Sequence, residues 1–238
     1  MIIDVITIFP NMFKPIIEES IILRAQKKGL VKIRLYNLRD YSHLSGKKVD
    51  APPYGGGEGM VFRVEPLFNA VESILGYRVY PKEKEDPKKR IILFSPKGKL
   101  LNQKLIKKFL DYEHLILIAP RYEGVDERVR EYLAEEEISI GDYVLSGGEL
   151  PSMVFIDSLV RLIPGVVSAY SSLKKESFEN NLLDYPVYTR PQDFRGLKVP
   201  EVLLSGDHKK IEEWRRKKQE ELTKKLRPDL WKKRRRNG

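Results

Sequence analysis

The stretch Pro120–Pro151, PRYEGVDERVREYLAEEEISIGDYVLSGGELP, decides how the rest of the chain is read. Gly141, Gly147 and Gly148, interrupted by Asp142, Tyr143 and Ser146, lie between a charged segment and an apolar one. Glycine lets a backbone bend tightly around a bound group, so the pattern marks a structured bend rather than a floppy linker. Upstream, GVDERVREYLAEEE places Val125, Val129 and Leu133 at four-residue spacing among strong helix formers, which predicts an amphipathic helix. Downstream, LPSMVFIDSLVRL (150–162) predicts a second, far more apolar helix. Glycine pairs also punctuate ordinary turns, and spacing alone does not separate a binding bend from a plain connection.

Working back toward the N-terminus, the pattern is that of an α/β domain. MIIDVITIF predicts a buried parallel strand ended by Pro10, residues 10–29 a helix closed by Gly29, and VKIRLYNL a second strand. Residues 42–60 hold five glycines and two prolines without apolar period, a long loop of the kind that is functional or disordered. Its GGGEG lacks the Lys-Ser/Thr end of a phosphate-binding loop. VEPLFNAVESILGY predicts a helix, RIILFSPKGK a third strand ending at Ser95–Gly98, LNQKLIKKFLDYEH a helix, and LILIAP a fourth strand running into Arg121. Ligands of open α/β sheets gather at the carboxyl ends of strands, and Pro96 and Pro120 mark two such ends.

Downstream of the second helix the chain changes character at Pro164. Residues 164–185 are polar and aperiodic, which predicts a mobile connector between a domain at 1–163 and a smaller one at 186–238. The last part predicts a long basic helix starting near Ser205 or Asp207, with Trp214 and Leu222 on its inner face.

Composition narrows the function. The 238 residues carry no cysteine, which removes disulfides, thiolate metal sites and cysteine nucleophiles and fits a reducing cytoplasm. No signal peptide or membrane span is visible in the sequence. His43, His114 and His208 have no metal-ligand spacing, so no bound transition metal is expected. The net charge is +10, and residues 198–238 hold 15 Lys and Arg against 7 Asp and Glu, a net of +8 that leaves +2 for the other 197. A tail so basic points to a polyanion such as RNA or DNA.

The strings RYEGVDERV, SIGDYVLSGGELP, IPGV, LLDYP, YTRP and VPEVLLSGDH, together with FPNMF and PYGGGEGM, occur in order over nearly the whole chain. In that combination the sequence resembles the bacterial tRNA (guanine-N1)-methyltransferases, the TrmD family of the SPOUT superfamily. The resemblance implies a SPOUT-type, mostly parallel α/β sheet with a deep trefoil knot, a rare exception to un-knotted topology, and a small, mainly helical C-terminal domain that helps hold tRNA. It implies a homodimer, with no membrane and no other protein partner, that transfers a methyl group from S-adenosylmethionine (AdoMet) to N1 of guanosine 37 in tRNAs with guanosine at 36. It also implies Mg²⁺ for the reaction, with no site assigned.

Carried over by matching motif, the resemblance assigns AdoMet to Ser95 and Pro96, to Pro120, Tyr122, Glu123 and Gly124, and to Ile140, Gly141, Asp142, Tyr143, Val144, Leu145, Gly147 and Gly148. Glu123 and Asp184 suit the donor's amino group, and Arg161 matches the arginine that faces guanine O6. The family's general base is an aspartate; here KKESF places Glu176 at that position, with Asp184 next in line. Pro120 stands where relatives often have glycine, and Glu58 where they often have proline. Two other classes remain open on the residues: a non-enzymatic RNA-binding protein, and a SPOUT methyltransferase acting on ribosomal RNA or a ribose.

Overall fold

The computed structural model describes residues 1–80, 86–167 and 176–236. They form two compact units, Met1–Ser168 and Ala169–Gly238. The first is built on a five-stranded sheet of order β2-β1-β6-β5-β7. Its strands are β1 (Ile2–Thr7), β2 (Lys32–Asn37), β5 (Lys89–Leu100), β6 (His114–Ile118) and β7 (Glu136–Ser139), all paired in parallel. Two short strands, β3 (Asp50–Ala51) and β4 (Val61–Phe62), pair antiparallel beside it and close the glycine-rich loop at its base.

The central strands are apolar because both faces are covered. In β6, Leu115 to Ile118 have no exposed surface, and Ile3, Val5 and Ile92 of β1 and β5 are equally buried. One face packs on α3 (Val64–Leu75), which inserts Leu67, Ala70 and Val71 and ends at left-handed Gly76. The other face receives α6 (Glu149–Val160), whose Phe155 stacks edge-on against Phe94 and Phe109 at 5.8 and 5.0 Å.

The N-terminal helix expected over 10–29 is broken into a 3-10 turn (Pro10–Phe13), α1 (Lys14–Ile17) and α2 (Ser20–Lys27), because Ser20 has a positive φ of 52°. Gly29 closes α2 as expected, at φ 70°, and the Leu30 amide donates to the Ala25 carbonyl at 3.0 Å. α4 (Gln103–Lys108) is capped by the Asn102 side chain.

The larger correction concerns 124–139. The expected helix runs only over α5 (Glu127–Tyr132), and β7, hidden in the helix-favouring string AEEEIS, joins the sheet edge. Sheet pairing overrides local propensity here: the Glu135 amide donates to the Ile91 carbonyl at 2.9 Å, and the Glu135 carboxylate accepts from the Ile91 amide at 2.8 Å. β5 also continues past its expected end. Its register against β7 jumps so that Phe94 and Lys99 both face Ile138, and residues 95–98 arch over that strand. At Gly98 a Cβ atom would collide with the backbone of Glu137 and Ile138, so the arch requires glycine.

A buried polar cluster ties three strands together away from their carboxyl ends. Asp4, with no exposed surface, accepts from Arg34 Nε and a second guanidinium nitrogen at 2.5 Å each and lies 2.7 Å from His114 Nε2. Burial pushes the Asp4 carboxyl up, but the hydrogen bonds from His114 and Arg34 outweigh it and hold it below its ordinary 3.8. A depressed carboxyl contributes stability above the unfolded value and loses it as pH falls through the folded one. Asp4→Asn is therefore expected to cost roughly 3 kcal/mol at pH 7. In urea titrations its deficit relative to the parent should shrink as pH drops below 4.

The second unit contains the hairpin β8 (Asp193–Phe194) and β9 (Leu197–Lys198), then α7 (His208–Leu226) and α8 (Pro228–Arg236). Asp207 caps α7 through the Lys210 amide at 3.2 Å. The single long helix expected there is two, because Pro228 ends α7 and occupies the first position of α8. Trp214 and Leu222 are half-buried, and the one fully buried α7 side chain is Thr223, which accepts from the Leu183 amide at 2.9 Å. Residues 168–175 of the expected connector lie outside the described residues.

Candidate active site

The carboxyl ends of β5, β6 and β7 open onto one cavity of about 340 Å³, within the ~300–1,000 Å³ range of small-molecule sites. Three segments supply most of its lining: Leu93–Lys97 within β5, Pro120–Val125 after β6, and Glu137–Gly148 from β7 onward, with Asp142 and Ser146 excepted. Of the fourteen residues assigned to the donor from sequence, thirteen line this cavity, and Asp142 does not.

Each wall has a local cause. After β6, Tyr122 and Gly124 take positive φ of 59° and 106°, turning the chain back so that the Gly124 carbonyl accepts from the Phe62 amide at 2.9 Å. The Tyr122 ring meets Phe62 edge-on at 5.8 Å. Glu123 lies over Gly59, where a Cβ would come within 2.8 Å of Glu123 Cγ, so that glycine makes room for the acid. After β7, Gly141 has φ 153° and is covered by the Tyr143 ring, whose hydroxyl donates to the Ile140 carbonyl at 3.2 Å. The bend ends where the Gly148 amide donates to the Pro120 carbonyl at 2.7 Å and Arg121 bridges Gly147. A Cβ on Gly148 would stand 2.6 to 2.9 Å from Pro120 and Ala119.

The lining mixes apolar walls with charge. Tyr122, Tyr143 and Val144 are exposed around the opening, the last at 90%. Glu123, Glu127 and Glu137 supply acids, and Lys97, Arg121 and Arg130 supply cations. Arg130 is paired with Glu127 at 2.5 Å, and Arg121 with buried Glu149 at 3.0 Å. The sequence reading took in Arg121 only within the run Pro120–Gly124 and missed Lys97, Glu127, Arg130 and Glu137, because nothing in their spacing distinguishes them from solvated charges.

The three residues assigned to catalysis are not among those lining the cavity. Arg161 caps the C-terminal end of α6 and is half-buried. Glu176 and Asp184 belong to the second unit, where the Asp184 amide donates to Ser177 Oγ at 2.9 Å and the Asp184 carboxylate accepts from the Tyr185 amide at 2.7 Å. Among the described residues no group of three His, Cys, Asp or Glu side chains is arranged to hold a metal ion, and no Mg²⁺ site is assigned.

Comparison with known proteins is decisive for the family. The profile of tRNA (Guanine-1)-methyltransferase TrmD matches residues 1–233. The chain belongs to the TrmD family. It is 52% identical over 228 residues to the tRNA (guanine-N(1)-)-methyltransferase of Dictyoglomus turgidum, covering 96% of this chain and 89% of that one. The proteins of the same name from Clostridioides difficile and Endomicrobium trichonymphae are 48% and 50% identical over 229 and 235 residues, covering 96% and 98% of this chain and 96% and 100% of theirs. As a TrmD-family protein the chain is a methyltransferase, which removes the non-enzymatic alternative. Its parallel five-stranded sheet accords with that membership. No helix among the described residues is long and apolar enough to cross a membrane.

Proposed function

We propose that this protein methylates N1 of guanosine 37 in tRNAs with guanosine at position 36, drawing the methyl group from AdoMet held in the cavity at the ends of β5, β6 and β7. The observation that carries the reading is the convergence of three distant segments on one cavity that combines apolar walls with charged side chains of both signs, Glu123 among them. AdoMet has a flat adenine and a cationic amino group, which match apolar walls and an acid at Glu123 respectively; when bound it supplies an already activated methyl, so no covalent enzyme intermediate is required.

The protein's own residues then have two tasks. Guanine N1 carries a proton at neutral pH and has no free lone pair, so methylation there needs a base within hydrogen-bond reach. Glu176 takes that role, with Asp184 as the next carboxylate in the same unit. As the proton leaves, negative charge spreads onto O6, where the Arg161 guanidinium stabilises the transition state more than the ground state.

The reading extends to architecture. The reading includes a knotted chain of the SPOUT type, which rests on membership of the family. Exposed Phe9, Met12 and Ile16, together with Leu150 and Val154 on α6, support a homodimer, since the turn carrying Met12 packs beside α6. Residues 164–185 are taken as the connector and 186–238 as the tRNA-binding domain of a cytoplasmic enzyme. In that domain Lys224 and Arg234 flank the Trp231 ring at 4.5 and 5.5 Å, a basic and aromatic surface suited to RNA. Deleting Lys232–Gly238 is expected to weaken tRNA binding uniformly and to flatten its salt dependence by about one unit of slope for each phosphate no longer neutralised. An unchanged slope would take the tail out of the interface.

The deciding experiment incubates the protein with methyl-labelled AdoMet and an unmodified tRNA transcript bearing guanosines at 36 and 37. Label in 1-methylguanosine at position 37 is expected. Label in 2′-O-methyl nucleosides would favour the ribose-directed alternative, and an unlabelled tRNA would overturn the reading.

A further inference from the structure

Glu149 is a charged residue only 1% exposed, and neither the donor contacts nor the base chemistry uses it. It is the first residue of α6, immediately after the glycine bend. Its Oε1 accepts from Thr7 Oγ1 at 2.9 Å, and its Oε2 pairs with Arg121 Nε at 3.0 Å. Thr7 is itself buried at the end of β1, and its hydroxyl accepts from the Phe9 amide at 2.9 Å. Arg121 lines the cavity, and its guanidinium lies 4.6 Å from the Phe9 ring centre.

These contacts join the ends of β1 and β6 to the start of α6 through one carboxylate. Pro120–Val125 and Ile140–Gly148 are two walls of the cavity that meet through the Gly148–Pro120 and Arg121–Gly147 backbone contacts, and the Arg121–Glu149 pair adds a side-chain link where they meet. Glu149 also occupies the space beside Gly147: a Cβ there would lie 2.5 Å from Glu149 Oε2 and 2.7 Å from Arg121 Nε. A side chain at 147 would therefore have to displace the Arg121–Glu149 pair.

We infer that Glu149 is a positioning residue for the methyl-donor site: through Arg121 and Thr7 it fixes the separation of the two cavity walls, and so sets donor affinity without touching donor or guanine. The inference rests on the cavity being the AdoMet site. A carboxylate suits the role because it accepts from both donors at once, whereas an amide at 149 offers one oxygen and turns its own NH₂ toward a donor. Removing the carboxylate also leaves the Arg121 guanidinium partly buried without its counter-charge, so the β6 loop is driven to open toward water.

The test compares full-length Glu149→Gln, Thr7→Val and Thr7→Ser with the parent, measuring AdoMet binding by calorimetry and steady-state kinetics with saturating tRNA. Glu149→Gln is expected to weaken AdoMet binding at least about 10-fold and to raise its KM in parallel, with kcat within about 3-fold. Thr7→Val should weaken binding by a smaller factor, while Thr7→Ser keeps the hydroxyl and the parental affinity. A merely structural role would lower the melting temperature and the active fraction without raising KM. Parental AdoMet affinity in both Glu149→Gln and Thr7→Val, or a loss confined to kcat, would overturn the inference. Failure of the parent itself to bind AdoMet would instead overturn the donor reading beneath it.

Discussion

Glu176→Gln is expected to lower kcat by roughly 1,000-fold, the scale on which a positioned general base contributes, while AdoMet affinity stays within about 2-fold of the parent. The expectation follows from the substrate. Guanine N1 is protonated at neutral pH, so without a carboxylate to receive that proton the nitrogen has no electron pair to offer. Glutamine has nearly the same shape and can still hydrogen-bond, but it cannot accept the proton. Donor affinity is spared because Glu176 belongs to the second unit and is not among the residues that line the cavity. The KM for tRNA should change little, since the carboxylate acts as charge moves and not as a binding contact. Single-turnover kinetics with pre-bound AdoMet would measure the chemical step directly. Full activity in Glu176→Gln would move the base elsewhere, with Asp184→Asn as the next variant to assay.

Gly148→Ala is expected to lower kcat/KM for AdoMet by about 100-fold, the scale on which a misplacement of about 1 Å in a reacting geometry slows catalysis, and to weaken AdoMet binding with it. The added methyl would stand 2.8 Å from Ala119 Cα and 2.9 Å from Pro120 N, and neither can yield as a flexible side-chain end would. Relief requires the bend to lift off the β6 end and break the 2.7 Å bond from the Gly148 amide to the Pro120 carbonyl. Gly29→Ala is the matching control. There φ is also positive, at 70°, yet nothing lies within 4 Å of the added methyl. That variant should lose about 1 kcal/mol of stability from backbone strain and keep parental AdoMet affinity. Equal affinities in the two variants would mean that close approach at Gly148 does not shape the site.

The contrast between these glycines shows where sequence reasoning succeeds. Pro120 after β6 and the bend 140–148 are legible because apolar runs terminating in Gly- and Pro-bearing loops are the pattern of an α/β ligand site, whereas Pro96, read as a strand end, lies inside β5 at its register jump. The meeting of all three at one cavity is a property of strand order, with β5 flanked by β6 and β7. β7 itself was invisible because AEEEIS favours helix locally, and only pairing with β5 makes it a strand. The arch at 95–98 was equally hidden, since a register jump leaves no periodic trace. Glu149 escaped for a different reason: an acid in the first turn of a helix is ordinary, and only its burial against Arg121 and Thr7 marks it. Glu176, conversely, was reached by motif resemblance alone, since an acid after two lysines in a polar stretch has no local signature.

The central claim is that the donor sits where the chain ends of β5, β6 and β7 converge. A crystal structure of the full-length protein grown with AdoMet tests it most directly. Density for the adenine against residues 140–145, with the amino group beside Glu123, is the expected result. Well-ordered AdoMet bound anywhere else on the molecule, with this cavity empty, would contradict it.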